Sequence, residues 1–131
     1  MTVEQFQSGN RVIDRWNNVF EALTAEPRRQ LIAALVDAPA DQPVVLPEAA
    51  ASPTVHSDLD FLQVDLRHTH LPLLDDAGFV RYESEPFRAY RGPRFEEVAT
   101  VIETLHDAAA DLPDSLVNGC QRLEEEHRLR D

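Results

Sequence analysis

Apolar positions along the chain recur first at helical spacing. Val12, Ile13, Trp16, Val19, Phe20 and Leu23 predict a first helix over Val12–Leu23, and Leu31, Ile32, Leu35 and Val36 a second. Thr24-Ala25-Glu26-Pro27 reads as the start signal of that second helix: Thr24 can cap, and Pro27 is tolerated in a first turn. Val44-Val45-Leu46 is strand-like, and Glu48-Ala49-Ala50-Ala51 has room for about one turn before Ser52-Pro53 breaks it. A long helix is predicted from a cap at Ser57 or Asp58 to Ala77. Its buried stripe is Leu62, Leu66, His70, Leu73 and Ala77, with Leu71 and Leu74 along the edge. Pro72 lies inside this helix and predicts a bend or a loosened turn at His68 to Pro72, because it lacks an N–H and crowds the carbonyl of His68. Gly78 is the stop, at the left-handed position that glycine accepts most freely.

Two strands follow, Phe79–Glu83 and Phe87–Arg91, joined by Ser84-Glu85-Pro86 as a hairpin. Gly92-Pro93 is a hinge. Phe95, Val98, Ala99, Ile102 and Leu105 mark one face of a helix over Arg94–Ala109. Leu112-Pro113-Asp114 ends that helix and opens a last one over Asp114–Leu129, apolar at Leu116, Val117, Cys120 and Leu123. The expected fold class is mainly α with a small β-wing. Residues 1–10 are polar and expected to fray, 11–110 form the folded domain, and 111–131 form a C-terminal helix that can serve dimerisation.

The stretch His70-Leu71-Pro72-Leu73-Leu74-Asp75-Asp76-Ala77-Gly78-Phe79-Val80 resembles the end of the recognition helix and the start of the wing in arsenic-repressor-type winged-helix regulators. Four further segments sharpen the likeness: Pro27-Arg28-Arg29, His68-Thr69-His70-Leu71-Pro72, Gly92-Pro93-Arg94-Phe95-Glu96-Glu97 and Leu112-Pro113-Asp114. With them, Trp16 to Leu116 resembles uncharacterised winged-helix proteins of halophilic archaea. The resemblance implies a winged helix-turn-helix domain, a DNA-binding transcriptional regulator and a homodimer built through the first helix and the C-terminal helices. The segment Pro47 to Thr54, where such a fold places its supporting helix, is too short for an ordinary one.

Charge bears on that expectation. The chain has 24 acidic residues against 12 basic ones, a net charge of −12, and no lysine. A duplex is itself a polyanion, so this balance disfavours DNA at ordinary salt. Two readings of the charge compete, a surface adapted to high salt and an acidic partner surface; the acids are spread along the chain rather than gathered in a tail, which favours the first. The long helix is acidic outside: Asp58, Asp60, Asp65, Asp75 and Asp76 stand against Arg67. By analogy with the family motif, Gln63, Arg67, His68 and Thr69 are the candidate base readers. The wing is the one net basic segment, and Arg81, Arg88, Arg91 and Arg94 are the candidate phosphate contacts, Arg being suited to them by its planar donor fork. The ordinary alternative is that these arginines pair with neighbouring carboxylates. Reversing Arg88 and Arg91 is expected to abolish DNA binding and leave the fold intact. A winged-helix protein-interaction module without DNA binding is the competing reading, and there Phe61 is the expected contact.

Other chemistry is poorly supported. Arg28 and Arg29 read as solvated surface, as partners for Glu21 and Glu26, or as a phosphate brace. His68 and His70 are two residues apart, about 200° around a helix, which does not make a metal pair; His70 reads as a hydrogen-bonded core histidine. A single cysteine excludes an intrachain disulfide. Four scattered glycines make no phosphate loop, and no catalytic motif or cofactor site is present, so the expectation is a non-enzyme. No apolar run reaches the ~18 residues of a membrane span and no signal peptide opens the chain, so the expected location is the cytoplasm.

Overall fold

The computed structural model describes residues 3–52, 58–117 and 123–125, with side chains from residue 9 onward. The fold is mainly helical with a three-stranded antiparallel sheet, the helical domain with a β-wing that the sequence pattern implied. No described helix is long and apolar enough to cross a membrane.

Helix α1 spans Val3–Ala22, so residues 3–10, expected to fray, are its first turns. Glu4, Gln5 and Gln7 are ordinary helix formers, and the polar character that suggested fraying does not oppose a helix. Of the apolar positions that predicted α1, Val19 is buried and Leu23, just beyond its end, partly so. Val12, Ile13, Trp16 and Phe20 face outward.

Helix α2 (Glu26–Asp37) buries Leu31, Ile32 and Leu35. Its N-terminus has no side-chain cap: Thr24 Oγ1 donates to the Phe20 carbonyl, closing the end of α1 instead. Strand β1 (Val44–Val45) follows, then a single 3₁₀ turn (Glu48–Ala50), the one turn for which Glu48-Ala49-Ala50-Ala51 had room, and it packs against α2.

The central helix has three parts. Helix α3 (Leu59–Asp65) is capped by Asp58, whose carboxylate accepts from the backbone N–H groups of Asp60 at 2.9 Å and Phe61 at 3.4 Å; Ser57, the other expected cap, lies outside the described residues. Leu66–His70 is a π turn, and α4 (Leu71–Asp76) completes the run. The π turn is the loosened segment that Pro72 demanded: widening the coil moves the carbonyl of His68 away from the proline ring. It also shifts the buried stripe. The Leu71 N–H reaches back five residues to the Leu66 carbonyl, so the side chains that follow Leu66 into the core are Leu71 and Leu74. His70, Leu73 and Ala77, which an unbroken 3.6-residue period would bury, are only half-buried.

Gly78, at φ +82°, ends the helix; its N–H bonds to the Asp75 carbonyl and the Phe79 N–H to the Leu74 carbonyl. Strands β2 (Val80–Ser84) and β3 (Phe87–Arg91) form the wing hairpin, and β1 joins on the far side of β3, giving the order β1-β3-β2. Helix α5 (Phe95–Asp107) packs on α1 and α2 through Phe95, Val98, Ala99 and Ile102. Leu105, expected on that face, is exposed: after Ile102 the inner face continues at half-buried His106 and buried Ala109, and Leu105 falls beside it. Helix α6 starts on schedule at Asp114 and is described to Val117, whose side chain is buried. Cys120 and most of the expected Asp114–Leu129 helix lie outside the described residues.

Candidate nucleic-acid interface

Burial of Leu62, Leu66, Leu71 and Leu74 decides what the central helix shows to solvent. The opposite face carries Asp60, Phe61, Val64, Asp65, His68 and Thr69, all exposed, with Gln63 half-buried at its margin. Among the described residues the side chains of Gln63, His68 and Thr69 have no hydrogen-bond partner, so their donors and acceptors are available to a ligand.

Two arginine contacts join this helix to the wing. Arg67 lies across the ring of Phe87, 3.9 Å from its centroid, and its Nη2 donates to the Ser84 carbonyl at 3.4 Å. In return Arg81 of β2 reaches the end of α4, paired with the Asp75 carboxylate and donating to the Asp75 carbonyl at 3.2 Å. The helix and the hairpin therefore present one continuous surface.

The other wing arginines divide by role. Arg88 donates from Nε to Glu83 Oε2 at 3.2 Å and lies over the Tyr90 ring. A hydrogen bond from Tyr90, and then Arg88, holds the Glu83 carboxyl below the usual carboxylate range. Arg81 and Arg88 thus do pair with carboxylates, as the ordinary alternative held. Both pairs are exposed, however, and an exposed ion pair contributes at most about 1 kcal/mol. A phosphate offering a bidentate contact can displace such a partner.

Arg91 is different. Its Nε and Nη2 donate to the Leu35 carbonyl at 3.1 and 2.9 Å, and Nη2 also reaches the carbonyls of Val36 and Ala38 at 3.3 and 3.0 Å. It caps the C-terminus of α2, where a cation also meets the negative end of the helix dipole. Arg91 is a structural residue and drops out of the candidate phosphate contacts. The charge reversal expected to spare the fold cannot include it. Arg94 at the hinge is exposed and its guanidinium has no partner among the described residues; its aliphatic stem covers Gly78.

Arg28 is not a surface charge, whereas Arg29 is exposed as expected; both turn to the end of α1 rather than standing free as a phosphate brace. Arg28 is only 6% exposed and donates from Nε to the Ala22 carbonyl at 3.1 Å and from Nη2 to the Glu21 carbonyl at 2.8 Å. Arg29 donates to the Leu23 carbonyl at 2.6 Å. Both cap the end of α1. The third arm of Arg28, Nη1, lies 2.8 Å from His70 Nδ1, so His70 is hydrogen-bonded as expected, but to an arginine of another helix. No group of three His, Cys, Asp or Glu side chains suited to a metal gathers among the described residues.

A second surface lies on α1. Trp16 and Phe20 are stacked 5.6 Å apart and are 49% and 60% exposed, beside Val12 and Ile13. Between α1 and α5 runs an open groove of about 510 Å³, lined by Val12, Trp16, Val19, Thr100 and Val101. The Arg15–Glu97 ion pair crosses it.

No curated protein and no solved structure matches the chain. A family profile described as a domain of unknown function, DUF7344, matches residues 20–87. That span runs from the end of α1 through α2, the 3₁₀ turn and the central helix to the first residue of β3. It covers more than half of the chain, which therefore belongs to the DUF7344 family.

Proposed function

We propose that this protein is a DNA-binding transcriptional regulator of winged helix-turn-helix type, acting as a homodimer in the cytoplasm. The observation that carries the reading is the outward face of the π turn. His68 and Thr69 are exposed there without hydrogen-bond partners among the described residues, on a helix that Arg67 joins to the wing beside it. A helix of this kind fits the major groove, where base edges are read by short polar side chains, while flanking arginines hold phosphate. Gln63, Arg67, His68 and Thr69 are the readers in this proposal, and Arg81, Arg88 and Arg94 the backbone contacts.

Few phosphates are held in this arrangement. With two to three contacts per protomer, log K should fall with log salt at a slope of about −2 to −3 per protomer. Such a shallow dependence suits a chain of net charge −12 working at high salt. The test is selection from a random duplex library, followed by titration of the selected sequence across salt. Arg88→Glu with Arg94→Glu is expected to lower affinity at least tenfold with an unchanged denaturation midpoint. Absence of any selected sequence defeats the reading.

One observation favours the competing protein-interaction reading. Phe61 is 73% exposed and Val64 53%, on a helix bordered by Asp58, Asp60 and Asp65. Phe61→Asp separates the two: it is expected to break a protein complex in that reading, and to leave the phosphate contacts of the DNA reading in place.

The homodimer is assigned to α1. A stacked Trp-Phe pair on an exposed apolar stripe is the kind of surface that a two-fold axis buries against itself. Trp16→Glu with Phe20→Glu is expected to convert a dimer to a monomer in sedimentation. A wild-type chain that sediments as a monomer overturns this assignment.

A further inference from the structure

We propose that the Arg28–His70 hydrogen bond is an acid-sensitive coupling that ties the π turn of the central helix to the end of α1 at neutral pH and releases it on acidification. One planar guanidinium spans the joint. Its Nε and Nη2 hold the Ala22 and Glu21 carbonyls of α1, and its Nη1 holds His70 Nδ1 at 2.8 Å. Arginine has only donors, so Nδ1 must carry the lone pair and the imidazole proton must sit on Nε2. A second proton on the ring removes that lone pair and sets an N–H against an N–H.

The groups around the joint favour the neutral ring. Burial first, and then the Arg28 charge, hold the His70 pKa below the ordinary histidine value, while Asp65 on the preceding turn partly opposes them. Glu21 and Arg29 act on Arg28 from the other side. Arg28 keeps its charge at any pH at which the protein is folded and is fixed by its other two hydrogen bonds, so on protonation the ring moves. The ring sits on the π turn, where the Leu71 N–H closes five residues back and Pro72 adds no donor.

The sign follows from linkage. His70 is harder to protonate in the folded state than in the unfolded chain, where its pKa is about 6.5. The bond contributes fully above that value and is lost as pH falls through the lower folded value. His68 and Thr69 share the turn, so their orientation loosens with it. The coupling itself is independent of the DNA reading and is measured without nucleic acid.

The experiment is amide hydrogen exchange of the full chain, corrected for intrinsic rates, at pH 7.5 and at a pH below the midpoint at which NMR shows the His70 ring to titrate in the folded protein. In the wild type, protection over Leu66–Leu71 is expected to fall about tenfold at the lower pH, the scale of one lost charge-assisted hydrogen bond. Amides of α5 should be unchanged. His70→Gln supplies a carbonyl acceptor that does not titrate and is expected to hold protection at both values; His70→Ala should be open at both. Unchanged wild-type protection, an equal loss in α5, or an equal loss in His70→Gln overturns the proposal.

Discussion

Replacing Arg91 by Ala is expected to lower the unfolding free energy by about 2–4 kcal/mol, and the melting temperature by about 10 °C. One guanidinium serves three carbonyls at the end of α2, those of Leu35, Val36 and Ala38. Hydrogen bonds to a charged donor contribute about 1.5–3 kcal/mol each where water is excluded, and less at a half-buried site where water can replace the donor. The side chain also lies over Phe95, 4.9 Å from the ring centroid, so its loss loosens the start of α5. Arg91→Lys should recover less than half of the deficit, because an ammonium on a flexible stem cannot hold three acceptors spread along a helix end. Urea denaturation of the three proteins checks this. An Arg91→Ala midpoint within error of wild type refutes the capping role and returns Arg91 to the candidate DNA contacts.

Replacing Gly92 by Ala is expected to be at least as severe, about 3–5 kcal/mol, or to prevent folding. A Cβ at Gly92 would stand 2.5 Å from the Gly78 oxygen and 2.8 Å from both the Phe79 carbonyl carbon and the Val80 nitrogen. All three are backbone atoms of the turn that joins the central helix to the wing. They cannot step aside without breaking the bond from the Gly92 N–H to the Phe79 carbonyl and that from the Arg94 N–H to the Gly78 carbonyl. Gly9→Ala is the control. It meets nothing within 4 Å in α1 and should be neutral or stabilising by up to about 1 kcal/mol. Equal stability of Gly92→Ala and wild type in circular dichroism melts is the outcome that defeats the argument. Gly92 thus lets its backbone lie against that of Gly78 to Val80, although in the sequence it looks like an ordinary hinge.

The legible parts of the chain were those where one signal acts on its own neighbourhood. Pro72 demanded a loosened turn and Gly78 a stop, and both are where the local chemistry placed them. The reduced supporting turn at Glu48–Ala50 follows from the proline that comes soon after it. The stripe of the central helix was legible only to Leu66. Beyond it the period reads as His70 and Leu73, whereas the π turn puts Leu71 and Leu74 inside. Apolar residues at both sets of positions support either register, and the widened turn makes the choice.

The candidate interface was legible by residue type and not by role. Arg81, Arg88, Arg91 and Arg94 are alike in sequence, four arginines on one basic stretch. In the fold two are in exposed ion pairs, one caps α2 and one has no partner among the described residues. Arg28 looked as solvated as its exposed neighbour Arg29 because no local pattern marks an arginine that turns back, buried, to the preceding helix end.

By itself the sequence determined the helices as far as Val117, the hairpin, a cap at Ser57 or Asp58 and the stop at Gly78, because each depends on residues within a few positions of one another. Tertiary structure alone decided which arginines remain available to a ligand, that His70 meets Arg28, and that Gly92 admits no side chain. These rest on partners up to 56 residues apart, as Arg91 and Leu35 are, brought together only when the core closes. An arginine's donors go to the nearest unsatisfied carbonyl or carboxylate, and which one is nearest is a property of the folded chain.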